Sequence, residues 1–226
     1  MKKLFVIALV LIAVPAFAQQ TLNYSWEDGG TLLGSYAFPG GITFESNVTG
    51  AQNGLQGSAL PPYTCPGAVD GERYLHVAED PHVGTPQAFL AWVTGLTDGD
   101  VVDAMFYGYD ITAGASPSWR IWGGYTLGAD INNYIASAGG SAGYTAGTGW
   151  DLVSYTWTFD SGLGTRDGLV IQGRLYSTPS TSNPDHTDFW ADDITVTAPI
   201  TATIHFPPAA TPVESESWTN IKALYR

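Results

Sequence analysis

The chain has 226 residues with 27 Gly, 14 Pro, 8 Trp, 12 Tyr and 9 Phe against a charged fraction of only 13%. That mix suits many short strands joined by turns and excludes a charged helical bundle. Asp and Glu number 21 and Lys and Arg 8, a formal net charge of −13 that repels polyanions and excludes a nucleic-acid backbone binder. A single cysteine, Cys65, rules out an internal disulfide and a four-ligand Cys/His zinc set.

Residues 1–18 read as a secretory signal. Lys2 and Lys3 supply the positive start, Leu4 to Val14 the apolar run, and Ala16, Phe17 and Ala18 the small-x-small cleavage pattern. An uncharged stretch of about 15 residues is short of the ~20 that span a bilayer, and no later segment is long and apolar enough, so no membrane span is expected. The expected product is exported, and loss of Lys2 and Lys3 takes its charge to about −15.

From Thr21 to Thr197 the apolar pattern has period two, broken every eight to twelve residues by Gly, Pro, Asn or Asp. The weaker strand candidates are Ile42 to Glu45, Tyr74 to Ala78, Trp119 to Trp122 and Phe189 to Val196. The clear ones are Gln87 to Val93, Val101 to Tyr109, Leu152 to Phe159 and Leu169 to Tyr176, with a tight turn at Asp98, Gly99 and Asp100. The Gly-, Ala- and Ser-rich run Ile135 to Gly149 reads as a surface loop. Eight or more strands over residues 21–198 predict an all-β domain, a two-sheet antiparallel β-sandwich of the jelly-roll kind.

Alternation sorts the faces. Val153, Tyr155, Trp157 and Phe159 share the core side of their strand; Leu169, Ile171, Gly173 and Leu175 do so in theirs, and Val102, Ala104 and Phe106 in a third. Tyr107, Tyr109, Arg120, Trp122, Gln172, Arg174 and Tyr176 then fall outside the core.

Residues 199–212, rich in Pro, Ala and Thr, read as a semi-rigid linker. In the tail, 213–226, Ser217 can cap a short helix carrying Trp218, Ile221 and Tyr225. The ending Trp218, Ile221, Lys222, Ala223, Leu224, Tyr225 and Arg226 resembles the C-terminal tails of otherwise unrelated exported bacterial proteins, which implies sorting machinery or surface attachment. The other reading is a frayed basic terminus.

The body resembles the jelly-roll carbohydrate-binding modules of the xylan- and glucan-binding kind, within the galactose-binding-like β-sandwiches. The matching pieces are Trp26 to Gly29, Gly71 to Val77, Phe89 to Val93, Trp150 to Phe159 and Asp188 to Val196, the last with an aromatic-x-x-Asp-Asp-Ile/Val ending. The resemblance implies a structural calcium ion between the first and last strands, held by Glu27, Asp192 and Asp193 with Asp70 completing the set. The alternative is that Asp192 and Asp193 simply alternate at a solvated strand edge. It also implies a glycan groove across one sheet, for which the seven outward residues have the right chemistry. Rings bury the apolar face of a sugar, and planar polar groups meet its hydroxyls.

Catalytic signatures are missing from the sequence. No alternating acidic run, no Gly-x-Ser-x-Gly elbow near His76, His82, His186 or His205, and no phosphate-cradling loop is present. The sequence therefore predicts a secreted, non-catalytic module for a glycan or other cell-surface polymer. The alternative is a structural or adhesive surface protein that self-associates and has no sugar site.

Overall fold

A computed structural model describes residues 18–37, 52–55, 67–79, 85–110, 113–147, 149–176 and 187–208. The leader up to Phe17, the strand expected at Ile42 to Glu45, Cys65 and the 213–226 tail lie outside the described residues.

Among the described residues, twelve strands make two antiparallel sheets. The first joins β3 (Gln52–Leu55), β4 (Arg73–Glu79), β11 (Thr187–Pro199), β6 (Val101–Asp110) and β9 (Asp151–Thr158) in that order. β1 (Gln19–Tyr24) pairs with the second half of β11, beyond the stretch that β4 occupies. The second sheet joins β12 (Thr203–His205), β5 (Pro86–Thr94), β10 (Gly168–Tyr176), β7 (Ser118–Leu127) and β8 (Asp130–Gly140), and β2 (Gly34–Ala37) takes the first half of β5. Two sheets facing each other across an apolar layer are the sandwich the alternation predicts.

The core is built from the inward sets read above. Val102, Ala104 and Phe106 of β6, Val153 and Trp157 of β9, and Leu169, Ile171 and Leu175 of β10 are all buried in one cluster. Trp119 of β7 sits at its centre, edge-on to Phe106 and Phe189 with ring centroids 5.6 and 5.5 Å away. The ring rests directly on β10, where a Cβ at Gly173 would come within 2.0 Å of it.

Two boundaries differ from the sequence reading. The run expected to be a loop from Ile135 contains most of β8, and the loop proper begins at Ser141. β8 can be built of small residues because Trp157 fills the space beneath it: a Cβ at Gly123 would lie 2.6 Å from the Trp157 indole nitrogen and 3.1 Å from Ala138 Cβ. Small residues there hide the strand from a hydrophobicity pattern. The expected linker from 199 instead turns back at Pro199 and adds β12, whose Ile204 packs on the core.

The Trp119 and Gly173 contact generates a stability prediction. Gly173→Ala overpacks the core and costs about 3 kcal/mol, read as a lowered urea midpoint with unchanged slope. Adding Trp119→Leu recovers part of that cost, because the atom the new methyl strikes is gone. Additive losses would show that the ring does not rest on β10.

Candidate functional site

The outer face of the second sheet is a trough. Its floor is β10 flanked by β5 and β7, in a register that places Gln172 beside Trp122 and Arg174 beside Arg120. β8 curls over that face: besides β7 it touches β10 and β2, and Asn132 Oδ1 comes 3.6 Å from where a Gly34 Cβ would stand. Tyr134 of β8 lies over Gly124, where an added Cβ would be 3.4 Å from its ring and 2.6 Å from Gln172 Nε2. Gly124 thus leaves room for both side chains.

The trough therefore has a closed and an open end. At the closed end Val170 and Phe89 are buried, and Gln87 and Gln172 are 0% and 1% exposed. Neither carboxamide has a hydrogen-bond partner at its oxygen or its nitrogen. Native interiors rarely leave buried amides bare, because each unmade bond costs about 1–3 kcal/mol. At the open end Tyr144 is 42% exposed. Arg120 lies with its guanidinium carbon 4.1 Å from the Tyr176 ring centroid and 5.3 Å from that of Tyr144. Arg174 leans the other way, 4.2 Å over the Trp122 ring. The Trp122 indole N–H donates to Ser137 Oγ at 2.7 Å, which fixes the ring on the trough wall.

Five of the seven residues expected to share one surface do so: Arg120, Trp122, Gln172, Arg174 and Tyr176. Two corrections apply. Gln172 and Arg174 are buried rather than open, Gln172 near Tyr134 of β8 and Arg174 against the Trp122 ring. Tyr107 and Tyr109 belong to β6 and face outward from the other sheet. There Tyr109 packs on Trp190 and Trp150, with centroids 5.4 and 6.0 Å apart, and Trp190 stacks on His76 at 5.4 Å. Alternation tells inward from outward; it does not tell which sheet a strand joins. Gln87, Tyr134 and Tyr144 were missed. Gln87 opens a run that was read as a strand with no face assigned, Tyr144 lies within the stretch that read as a loop, and Tyr134 just before it.

The residues expected to hold calcium stitch a loop. Glu27 Oε1 accepts the Glu72 and Arg73 N–H groups at 3.0 and 2.7 Å. Asp192 Oδ2 accepts those of Val69 and Asp70 at 2.7 and 3.1 Å, and its Oδ1 that of Asp193 at 2.8 Å. Gly71, with φ +67, is required where the loop wraps Glu27, since a Cβ there would stand 2.4 Å from the carboxyl carbon. These contacts present amide hydrogens where a calcium cage needs six to eight oxygens. Among the described residues no three His, Cys, Asp or Glu side chains gather as a metal site. The set as placed does not fit the ion.

Burial pushes the Asp192 carboxyl up to about 6, with the charge of Asp193 adding to it, against the pull of the three amides. An acid raised in the fold binds its proton more tightly there than in the unfolded chain. Its contribution to stability therefore falls as pH rises from about 4 to about 6. Between pH 4 and 7 the wild type is expected to lose about 2 kcal/mol through this group, and Asp192→Asn to flatten that part of a denaturation-against-pH series. An identical slope in the variant would contradict the assignment.

No family model matches the chain, and a search of curated proteins finds no match. Among solved structures, the fold is similar to the CBM22-1 xylan-binding domain from Paenibacillus barcinonensis Xyn10C. That match has 13% identity and a TM-score of 0.43 and covers 81% of this chain and 97% of that one. The CBM22-2 xylan-binding domain of the same protein gives 12% identity, 78% and 98% coverage and a TM-score of 0.47. The Stig cyclase Fisc from Fischerella sp. TAU gives 12% identity, 79% and 84% coverage and a TM-score of 0.44. The chain is similar to these structures as a two-sheet β-sandwich.

Proposed function

We propose that the trough of the second sheet binds a glycan and that the protein is an exported, non-catalytic recognition module. The observation that carries this reading is the pair of buried, unpartnered carboxamides, Gln87 and Gln172, at the floor of a trough whose mouth carries an exposed tyrosine. A carboxamide offers a donor and an acceptor together, as does each sugar hydroxyl, so a sugar entering the trough satisfies groups that the fold leaves bare. Tyr144, exposed at the mouth, supplies the apolar platform for the sugar ring. Binding rather than turnover suits a lining of amides, guanidiniums and rings, since glycoside hydrolysis calls for two facing carboxylates. The leader and the C-terminal tail fit delivery to the outside of a cell.

Two substitutions separate this reading from a structural role. Gln172→Met keeps the volume and removes a bare buried amide, so the protein is expected to hold its stability or gain about 1 kcal/mol while losing glycan affinity at least tenfold. Tyr144→Ala at the mouth is expected to weaken binding tenfold without lowering the melting temperature, and Tyr107→Ala on the opposite sheet to leave binding unchanged. Affinity electrophoresis against a panel of soluble polysaccharides reads all three. A blank panel together with concentration-dependent assembly would overturn the proposal in favour of a self-associating surface protein.

A further inference from the structure

We infer that the open end of the trough recognises a carboxylate, so that the ligand is an otherwise neutral glycan carrying isolated uronic acid residues. This inference rests on the trough being a glycan site. It is carried by Arg120. Its register partner on β10 is another arginine, Arg174. Like charges directly opposite on adjacent strands lie only about 5 Å apart at Cβ and repel. The two guanidiniums splay along the trough in opposite directions, Arg174 toward Trp122 and Arg120 toward Tyr176. Arg120 then meets only rings: its Nε is buried without an acceptor, and its guanidinium faces Tyr144 and Tyr176. Among the described residues no carboxylate pairs with the Arg120 guanidinium, although the chain has 21 acids to 8 Lys and Arg.

The chemistry that answers it is an anion brought by the ligand. A guanidinium presents five donors in a flat fork that matches a carboxylate at two points. Two tyrosine rings beside it suit the sugar that bears the carboxylate. The formal charge of −13 sets the other limit, because a densely charged polymer is repelled before it reaches the trough. One acidic sugar among neutral ones meets Arg120 without that penalty, while Gln172 and Gln87, toward the closed end, meet hydroxyls.

The test is titration calorimetry with two uronate-bearing probes on different backbones, glucuronoxylan oligosaccharides and xanthan oligosaccharides, each in native and carboxyl-reduced form. κ-Carrageenan oligosaccharides serve as a sulfated arm. The native acidic probes are expected to bind at least tenfold more tightly than their reduced forms. Arg120→Gln is expected to erase that difference while keeping the weaker binding of the reduced probes, and Arg120→Lys to restore only part of it. Equal binding of native and reduced probes, with Gln172→Met still abolishing both, would overturn the carboxylate inference and leave the glycan site standing. Binding confined to the sulfated arm would overturn it as well. No binding of any probe, joined to a blank neutral panel, would remove the glycan site itself.

Discussion

The close approach of Trp119 to β10 is the constraint on which the rest of the molecule depends. The indole reaches the strand only because Gly173 carries no side chain, and it sits against Phe106 and Phe189 from the facing sheet. That contact fixes which side of β7 and β10 is core. Period two then leaves no choice for their neighbours: Gln172 and Arg174 on one strand, and Arg120 and Trp122 on the other, must project away from the core onto the opposite face. A slip of one residue would exchange the two sets and drive two arginines into the sandwich interior, so the site is as strongly specified as the core.

The same face carries features that do not serve stability. Bare carboxamides under a curled strand, and two arginines in register, each cost free energy that an apolar lining would not. The opposite sheet carries a closed aromatic cluster instead: Trp190, Tyr109, Trp150 and His76 pack on one another, and the Trp150 indole N–H is taken up by the Gly67 carbonyl at 2.6 Å. Two whole carboxamides go bare on the trough face, whereas the aromatic cluster of the opposite sheet takes up its Trp150 indole N–H. Departures from local consistency of this kind gather at functional sites.

How much of this was legible follows from what periodicity can carry. The strands β6 and β9 announce themselves by alternating inward and outward residues over eight or more positions, and β5 and β10 as apolar-rich runs of strand length. β8 was hidden, since Ala136 and Ala138 pack inward as small residues above Trp157 of the facing sheet. The placing of Tyr107 and Tyr109 was beyond a pattern argument: β6 follows β5 through a tight turn yet joins the other sheet, and that crossing leaves no mark on either strand's alternation. Asp192 was expected, from the family resemblance, to be a calcium ligand. Its actual partners, the amides of residues 69, 70 and 193, have no side-chain signature at all.

Charge then narrows what the trough can hold. Arg166, another of the few bases, is consumed by structure, with its guanidinium 2.6 Å from Asp160 and 3.7 Å above the Tyr125 ring. Arg120 is spent differently, on the trough face with its guanidinium against the rings of Tyr144 and Tyr176. The field of the whole molecule is negative and acts over a Debye length of about 8–10 Å, whereas a guanidinium fork acts only on contact. Long-range repulsion and short-range capture therefore select against different ligands: the first rejects dense polyanions at a distance, and the second rewards an acid that arrives singly on a neutral chain.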